Sequence, residues 1–299
     1  MNRAVKVLGS FLKSRLTGGG TPLIASFKVT YRCNLSCMAC PFHLLGDQNQ
    51  MDWDTAVKSL DLLASMGCPV VVFEGGEPLL WADGARGFKD LAVYAKRLFP
   101  CVAVTTNGTM NLDVPTDICW VSVDGSRETH NRLRSGSYDT LMENLGRTTH
   151  PKVFVHTTFN SLNYQECTDI AQAAFAIPAV RGMTVQLFYP YGKGEEPLAL
   201  SRLERRVVLE KVMALKKLGY PILNSYWGLM SMIDNSWECR DKLLANVNPD
   251  GSIHLGCYVK GRTDVVCSEC GFTPVAEASG AYALKPRAIL AGMRIFLGS

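Results

Sequence analysis

The chain has 299 residues, with 31 Lys and Arg against 27 Asp and Glu and 47% hydrophobic residues. This is enough for one large α/β domain with an appendage, and it excludes a disordered chain. Lys, Arg, Asp or Gly interrupts every apolar run before the ~18 residues a spanning helix needs, and no secretory h-region is visible, so a cytoplasmic location is expected.

The first segment reads as an amphipathic helix, with Val5, Leu8, Phe11, Leu12 and Leu16 on one face and Arg3, Lys6 and Lys13 elsewhere, ending at Gly18 to Gly20. Short apolar runs then predict strands at 24–30, 70–73, 102–106, 118–123, 153–160 and 183–188. Helical periodicity follows them at 54–66, 84–98, 138–147, 164–176 and 200–218, with Asp54 as a cap and Gly67 as a stop for the first. Strands that are apolar throughout and alternate with helices indicate a parallel sheet covered on its faces. Six such units predict an α/β fold of the partial (β/α)6 TIM-like barrel type. The interval from Cys33 to Trp53 becomes a long loop at a strand's C-terminal end, where sites of such folds lie. Beyond residue 222 the alternation stops. Asn248-Pro249-Asp250-Gly251 predicts a hairpin between 246–247 and 252–255, and 286–297 is helical again. The expected organisation is a basic helix over 1–22, a barrel over 23–222, a small hairpin-containing unit over 223–275 and a basic helix over 276–299.

Eleven cysteines are many for a reducing compartment, where clustered thiols read as metal or redox sites. Cys68, Cys101, Cys119 and Cys167 lie among apolar residues and read as core. Cys33, Cys37 and Cys40 stand in a C-x3-C-x2-C pattern after the first strand. Three thiolates leave one iron of a [4Fe–4S] cube open. Zinc is the competing reading, with His43 as a fourth ligand. Four more cysteines, Cys239, Cys257, Cys267 and Cys270, surround the hairpin and can close a site completely. Zinc and a cube share such ligands, and spacing does not separate them.

The three-cysteine pattern resembles the signature of the radical S-adenosylmethionine (radical SAM) superfamily. Glu74-Gly75-Gly76-Glu77-Pro78 is similar to its GGEP turn, Thr105-Thr106-Asn107-Gly108 to its TNG segment, and Ser122-Val123-Asp124-Gly125 to its S-x-D-G. The run from Glu128 through Arg134 resembles its arginine-bearing segment, and Tyr189-Pro190-Tyr191-Gly192-Lys193-Gly194 its P-x-G-x-G turn. The resemblance implies a cluster on Cys33, Cys37 and Cys40 whose open iron chelates S-adenosylmethionine, and reductive cleavage to a 5′-deoxyadenosyl radical that abstracts hydrogen. It places Gly75, Gly76 and Glu77 at the methionyl amine, Arg134 at the carboxylate, Ser122 and Asp124 at the ribose, and Thr106 and Asn107 at the cofactor. Ala39 stands where the family usually has an aromatic residue, which assigns the adenine face to another group such as Phe42. The later cysteines resemble the shortened SPASM domain called twitch, which implies one auxiliary [4Fe–4S] cluster in electron transfer. A reductant protein such as flavodoxin or ferredoxin is implied as partner.

The substrate is less legible. Tyr189, Tyr191, Glu195 and Glu196 follow a strand and are candidates for the barrel mouth, with no catalytic base identified. Net charge of +9 is confined to residues 1–46 and 278–299, leaving −5 between them. Val5 to Leu16, and Ile289, Leu290, Met293, Phe296 and Leu297 beside Arg287 and Arg294, suit either an anionic membrane surface or packing on the barrel. There is no clear nucleic-acid signal. The expectation is a radical enzyme acting on a small molecule or lipid. A peptide-modifying enzyme is the alternative, and a non-catalytic iron–sulfur electron carrier the third.

Overall fold

A computed structural model describes residues 3–40, 42, 49–257, 259–260 and 265–298, so His43 lies outside the described residues. The strands are β1 (Ile24–Thr30), β2 (Val70–Gly75), β3 (Ala82–Asp83), β4 (Arg86–Gly87), β5 (Cys101–Thr106), β6 (Ile118–Ser122), β7 (Val153–Phe159), β8 (Val180–Leu187), β9 (Leu244–Val247) and β10 (Ile253–Leu255). The helices are α1 (Arg3–Leu16), α2 (Trp53–Met66), α3 (Phe88–Leu98), α4 (Arg127–Leu133), α5 (Tyr138–Arg147), α6 (Cys167–Phe175), α7 (Arg202–Lys217), α8 (Tyr226–Ser231), α9 (Thr273–Tyr282) and α10 (Pro286–Phe296).

Eight strands form one sheet in the order β10-β9-β1-β2-β5-β6-β7-β8, parallel except for the antiparallel β9–β10 pair. This is the α/β, mostly parallel architecture expected of a partial barrel. All six predicted barrel strands are present. The hairpin is present too, but β9 pairs in parallel with β1, Ile24 opposite Leu244 and Phe27 opposite Val247. The hairpin therefore continues the barrel sheet at the edge next to the first cysteine loop.

Alternate strand residues divide the core in two. Phe27, Val29, Phe73, Val104 and Val121 face outward into the helical layer. Val70, Cys101, Ala103, Ile118, Trp120 and Phe154 fill the barrel interior toward the strands' N-terminal ends, where Ile295 and Phe296 of α10 join them. The four dispersed cysteines, Cys68, Cys101, Cys119 and Cys167, are all buried.

Three local readings change. Asp52 caps α2, accepting from the Thr55 amide at 2.7 Å. Asp54 instead lies in the first turn, where its charge suits the helix dipole. Gly67 closes the helix at φ 89°. The stretch from 84 is a tight β3–β4 hairpin turning at Gly84, so α3 starts only at Phe88. Helices α4, α8 and α9 carry too short or too small-residue a pattern to register as periodic.

Candidate functional site

The cysteine loop is held by the end of the neighbouring strand. Gly76 donates to the Thr30 carbonyl and Glu77 to that of Arg32, each at 2.8 Å. A Cβ at Gly76 would lie 2.2 Å from the Arg32 carbonyl oxygen, and one at Gly75 2.2 Å from that of Thr30. Only glycine lets β2 approach the loop this closely. On the other side, Met38 donates to the Leu133 carbonyl and Ser36 to Ser135 Oγ, tying the loop to the end of α4. Burial raises all three thiols of the loop, Cys40 to about 11, so ligation requires them to release protons.

Gly75, Gly76, Thr106, Asn107, Ser122, Asp124 and Arg134 line one cavity of about 250 Å³ together with Cys33, Cys37 and Cys40. Glu77 does not line it. It is fully buried behind the wall, where its carboxylate accepts from the Leu79 amide at 3.1 Å, Thr106 Oγ1 at 2.8 Å and the Asn107 amide at 2.8 Å. Burial still pushes it up to about 7. Its side chain therefore shapes the strand exits instead of meeting an amine in the cavity. Asn107, held this way, points Nδ2 at Cys33 Sγ, 3.8 Å away, and at Asn34 Oδ1, 2.8 Å away.

Arg134 Nε donates to Asp124 Oδ2 at 2.6 Å, and Asp124 Oδ1 accepts from the Thr158 amide at 2.8 Å. Asn163 Nδ2 donates to the Asp124 carbonyl at 2.9 Å and fixes the loop. The guanidinium faces Cys37, on whose thiolate it has a favourable influence second only in size to the cost of burial. Phe42 stacks on Tyr31 at 5.2 Å between ring centres and is 6.2 Å from Tyr191, forming an aromatic wall where Ala39 offers only a methyl group.

Of the mouth candidates, Tyr189 and Tyr191 line the cavity. Glu195 is buried, accepting from the Tyr191 and Lys193 amides at 2.7 Å each, and so braces the turn; Glu196 is exposed. A polar set with no motif also faces the cavity. Lys28 is 2% exposed and donates to Ser26 Oγ at 2.5 Å and Asn246 Oδ1 at 3.3 Å, and lies 3.4 Å from Glu74 Oε1.

Cys257 and Cys270 line the same cavity from its far side. Cys239 and Cys267 are exposed; burial raises the Cys239, Cys257 and Cys270 thiols, and neighbouring cysteines add to the rise at Cys239 and Cys270. The Cys267–Cys270 turn is folded by two residues that carry no sequence signal. Arg205 donates to the Glu269 carbonyl at 2.9 Å and that of Cys270 at 2.6 Å, and Asn235 to those of Ser268 and Cys270 at 2.8 Å. Gly271 then packs on β8, where a Cβ would meet Leu187 at 2.5 Å. Among the described residues no three candidate ligands gather closely enough for a single metal ion. By donor chemistry, three cysteines fit a cube with one open iron, and four cysteines fit either a cube or a zinc ion.

Residues 27–174 match the model of the radical SAM superfamily. With its three-cysteine loop braced by the Gly75-Gly76 turn, the chain belongs to that superfamily, whose members are enzymes, and this implies a [4Fe–4S] cluster and S-adenosylmethionine. It is 28% identical over 219 residues to the Fe-coproporphyrin III synthase of Methanosarcina barkeri, covering 66% of this chain and 53% of that protein. It is 28% identical over 171 residues to the sporulation killing factor maturation protein SkfB of Bacillus subtilis, covering 50% of this chain and 39% of that one. The chain thus spans about half the length of the first and less of the second. The structure of Streptococcus suis SuiB bound to its precursor peptide SuiA shares the fold, with a TM-score of 0.67 over 85% of this chain and 64% of that one at 13% identity.

Proposed function

We propose that the protein is a radical enzyme in which Cys33, Cys37 and Cys40 hold the S-adenosylmethionine-binding cluster and Cys239, Cys257, Cys267 and Cys270 an auxiliary [4Fe–4S] cluster. The observation that carries this reading is the single cavity lined by members of both cysteine groups. When bound, the first cluster supplies the electron that cleaves S-adenosylmethionine to the hydrogen-abstracting 5′-deoxyadenosyl radical. The chain's residues do the rest. Arg134 would hold the methionyl carboxylate, Ser122 and Asp124 the ribose, the Gly75-Gly76 backbone the amine, and Phe42 with Tyr191 the adenine face. With four thiolates the second group would leave no open iron for substrate, which suits a cluster in electron transfer or in structural support.

For the substrate we favour a small molecule over a peptide. The cavity has aromatic walls and one polar corner at Lys28 and Glu74, the mix that small-molecule sites show. The Fe-coproporphyrin III synthase points the same way. The peptide reading is favoured by SkfB.

Anaerobic reconstitution tests the assignment. The protein should hold about eight irons, two four-iron cubes. Replacing Cys33, Cys37 and Cys40 by Ala should halve the iron and abolish 5′-deoxyadenosine formation with dithionite and S-adenosylmethionine. Replacing Cys239 and Cys257 should halve the iron and spare uncoupled cleavage. Zinc in the second site would overturn the auxiliary cluster. Product analysis with iron porphyrins and short peptides as probes separates the two substrate readings.

A further inference from the structure

Helix α1 carries two apolar faces, and the fold uses only one. Ser14 is buried and Val7 and Phe11 are part-buried, all on the inward side. Val5, Leu8, Leu12 and Leu16 fall at i, i+3, i+7 and i+11, one stripe, and are 54%, 58%, 53% and 88% exposed. Exposed Arg15 borders this stripe on one side and exposed Lys6 and Lys13 on the other. Helix α10 repeats the arrangement. Ala288 and Ala291 are buried and Phe296 packs against Trp120 in the barrel, while Leu290 and Met293 are 63% and 50% exposed beside exposed Arg287 and Arg294.

Both helices lie at one end of the barrel. Arg3 pairs with Asp117, just before β6, at 3.5 Å. Lys152, just before β7, donates to the Gly298 carbonyl beyond α10. Arg15 donates to the Tyr282 carbonyl, with its guanidinium 4.8 Å from that ring, so α1 closes beside the α9–α10 junction. These contacts stand at the N-terminal ends of the strands, whereas the cysteine cavity opens at their C-terminal ends.

We propose that this end of the barrel docks on an anionic lipid surface, with α1 and α10 lying in the interface and the catalytic cavity facing away from it. The apolar stripe flanked by cations is the pattern of interfacial helices. Charge selects the occupant. Helices α1 and α10 contain no Asp or Glu, so a second copy seated with these helices on its own would oppose cations with cations. A surface rich in phosphate headgroups would neutralise them. The opposite placement of the cavity makes the lipid an anchor, with substrate arriving from the aqueous side. This inference does not rest on the proposed reaction.

Flotation of the reconstituted full chain tests it, with vesicles of 30% phosphatidylglycerol in phosphatidylcholine against phosphatidylcholine alone. The protein should float with the anionic vesicles at 50 mM salt, and at least about tenfold less with neutral ones or at 500 mM, since each cation near the surface is worth roughly fivefold in affinity and is screened by salt. Leu8→Glu with Leu12→Glu should abolish flotation while leaving circular dichroism and uncoupled S-adenosylmethionine cleavage unchanged, because both residues are exposed and remote from the cavity. No flotation at low salt would overturn the proposal, as would equal binding to both vesicles. So would a dimer in solution that the double variant dissolves.

Discussion

Arg134 and Asp124 form a 2.6 Å ion pair whose two members reach the cavity from different elements, Arg134 from the end of α4 and Asp124 from the exit of β6. Asp124 is anchored by Thr158, and the guanidinium it holds through Nε stands beside Cys37. A charge-assisted bond from such a group to a bound carboxylate is worth roughly 1.5–3 kcal/mol. Arg134→Ala should therefore weaken S-adenosylmethionine binding about tenfold or more, read by equilibrium dialysis on the loaded protein. A lower unfolding midpoint with an unchanged dissociation constant would reduce Arg134 to a structural partner of Asp124.

The glycine turn gives a sharper test of loop geometry. A methyl group at Gly76 meets two backbone oxygens, of Arg32 at 2.2 Å and Tyr31 at 2.6 Å, and backbone cannot swing away. Gly76→Ala should lower stability by about 1–3 kcal/mol and reduce iron retained by the first site. Gly292→Ala serves as the control: it lies inside α10 with nothing within 4 Å, and should stabilise by roughly 0.5–1 kcal/mol. Urea unfolding and iron analysis read both.

Glu77 separates bracing from ligand contact. Its carboxylate accepts from three donors, two of them on the cavity-lining residues Thr106 and Asn107, and does not itself line the cavity. Glu77→Ala orphans all three, at about 1–3 kcal/mol each, and frees Asn107 from its position against Cys33. Large destabilisation and loss of iron are expected. Glu77→Gln, which keeps acceptor capacity at one position, should recover part of the stability. If Glu77 contacted the amine directly, the Gln variant would fold as well as the parent and lose only binding.

The pH dependence of stability should carry a contribution from Glu277. It accepts from the Ser225 amide at 2.7 Å, its second oxygen is buried with no hydrogen-bond partner among the described residues, and burial pushes its pKa up from 4.5 to about 7. Between those values the folded chain keeps a proton that the unfolded chain has released. Stability from this group is therefore greatest at low pH and falls as pH rises through about 7. Glu277→Gln should match the parent near pH 5 and exceed it at pH 8 by about 2 kcal/mol, measured by urea unfolding at both.

The sequence by itself determined the strand ladder, the two cysteine groups and the glycine turns at the strand ends. Strand alternation, C-x3-C-x2-C spacing and Gly-Gly after an apolar run are local patterns, written by neighbours along the chain. Tertiary structure decided what depends on distant residues. It turned Glu77 and Glu195 inward onto backbone amides, because only the folded turns bring those donors together. Pairing with β1 put the Asn246 hairpin beside the cavity, and it brought Lys28 within reach of Asn246. Arg205, an unremarkable helical cation in sequence, became the clasp of the Cys267–Cys270 turn from 64 and 65 residues away. The helical stripe of α1 suited burial and a lipid surface equally in sequence. The structure leaves that stripe exposed, because a helix at the barrel's end buries one face only, and Val7, Phe11 and Ser14 take that face.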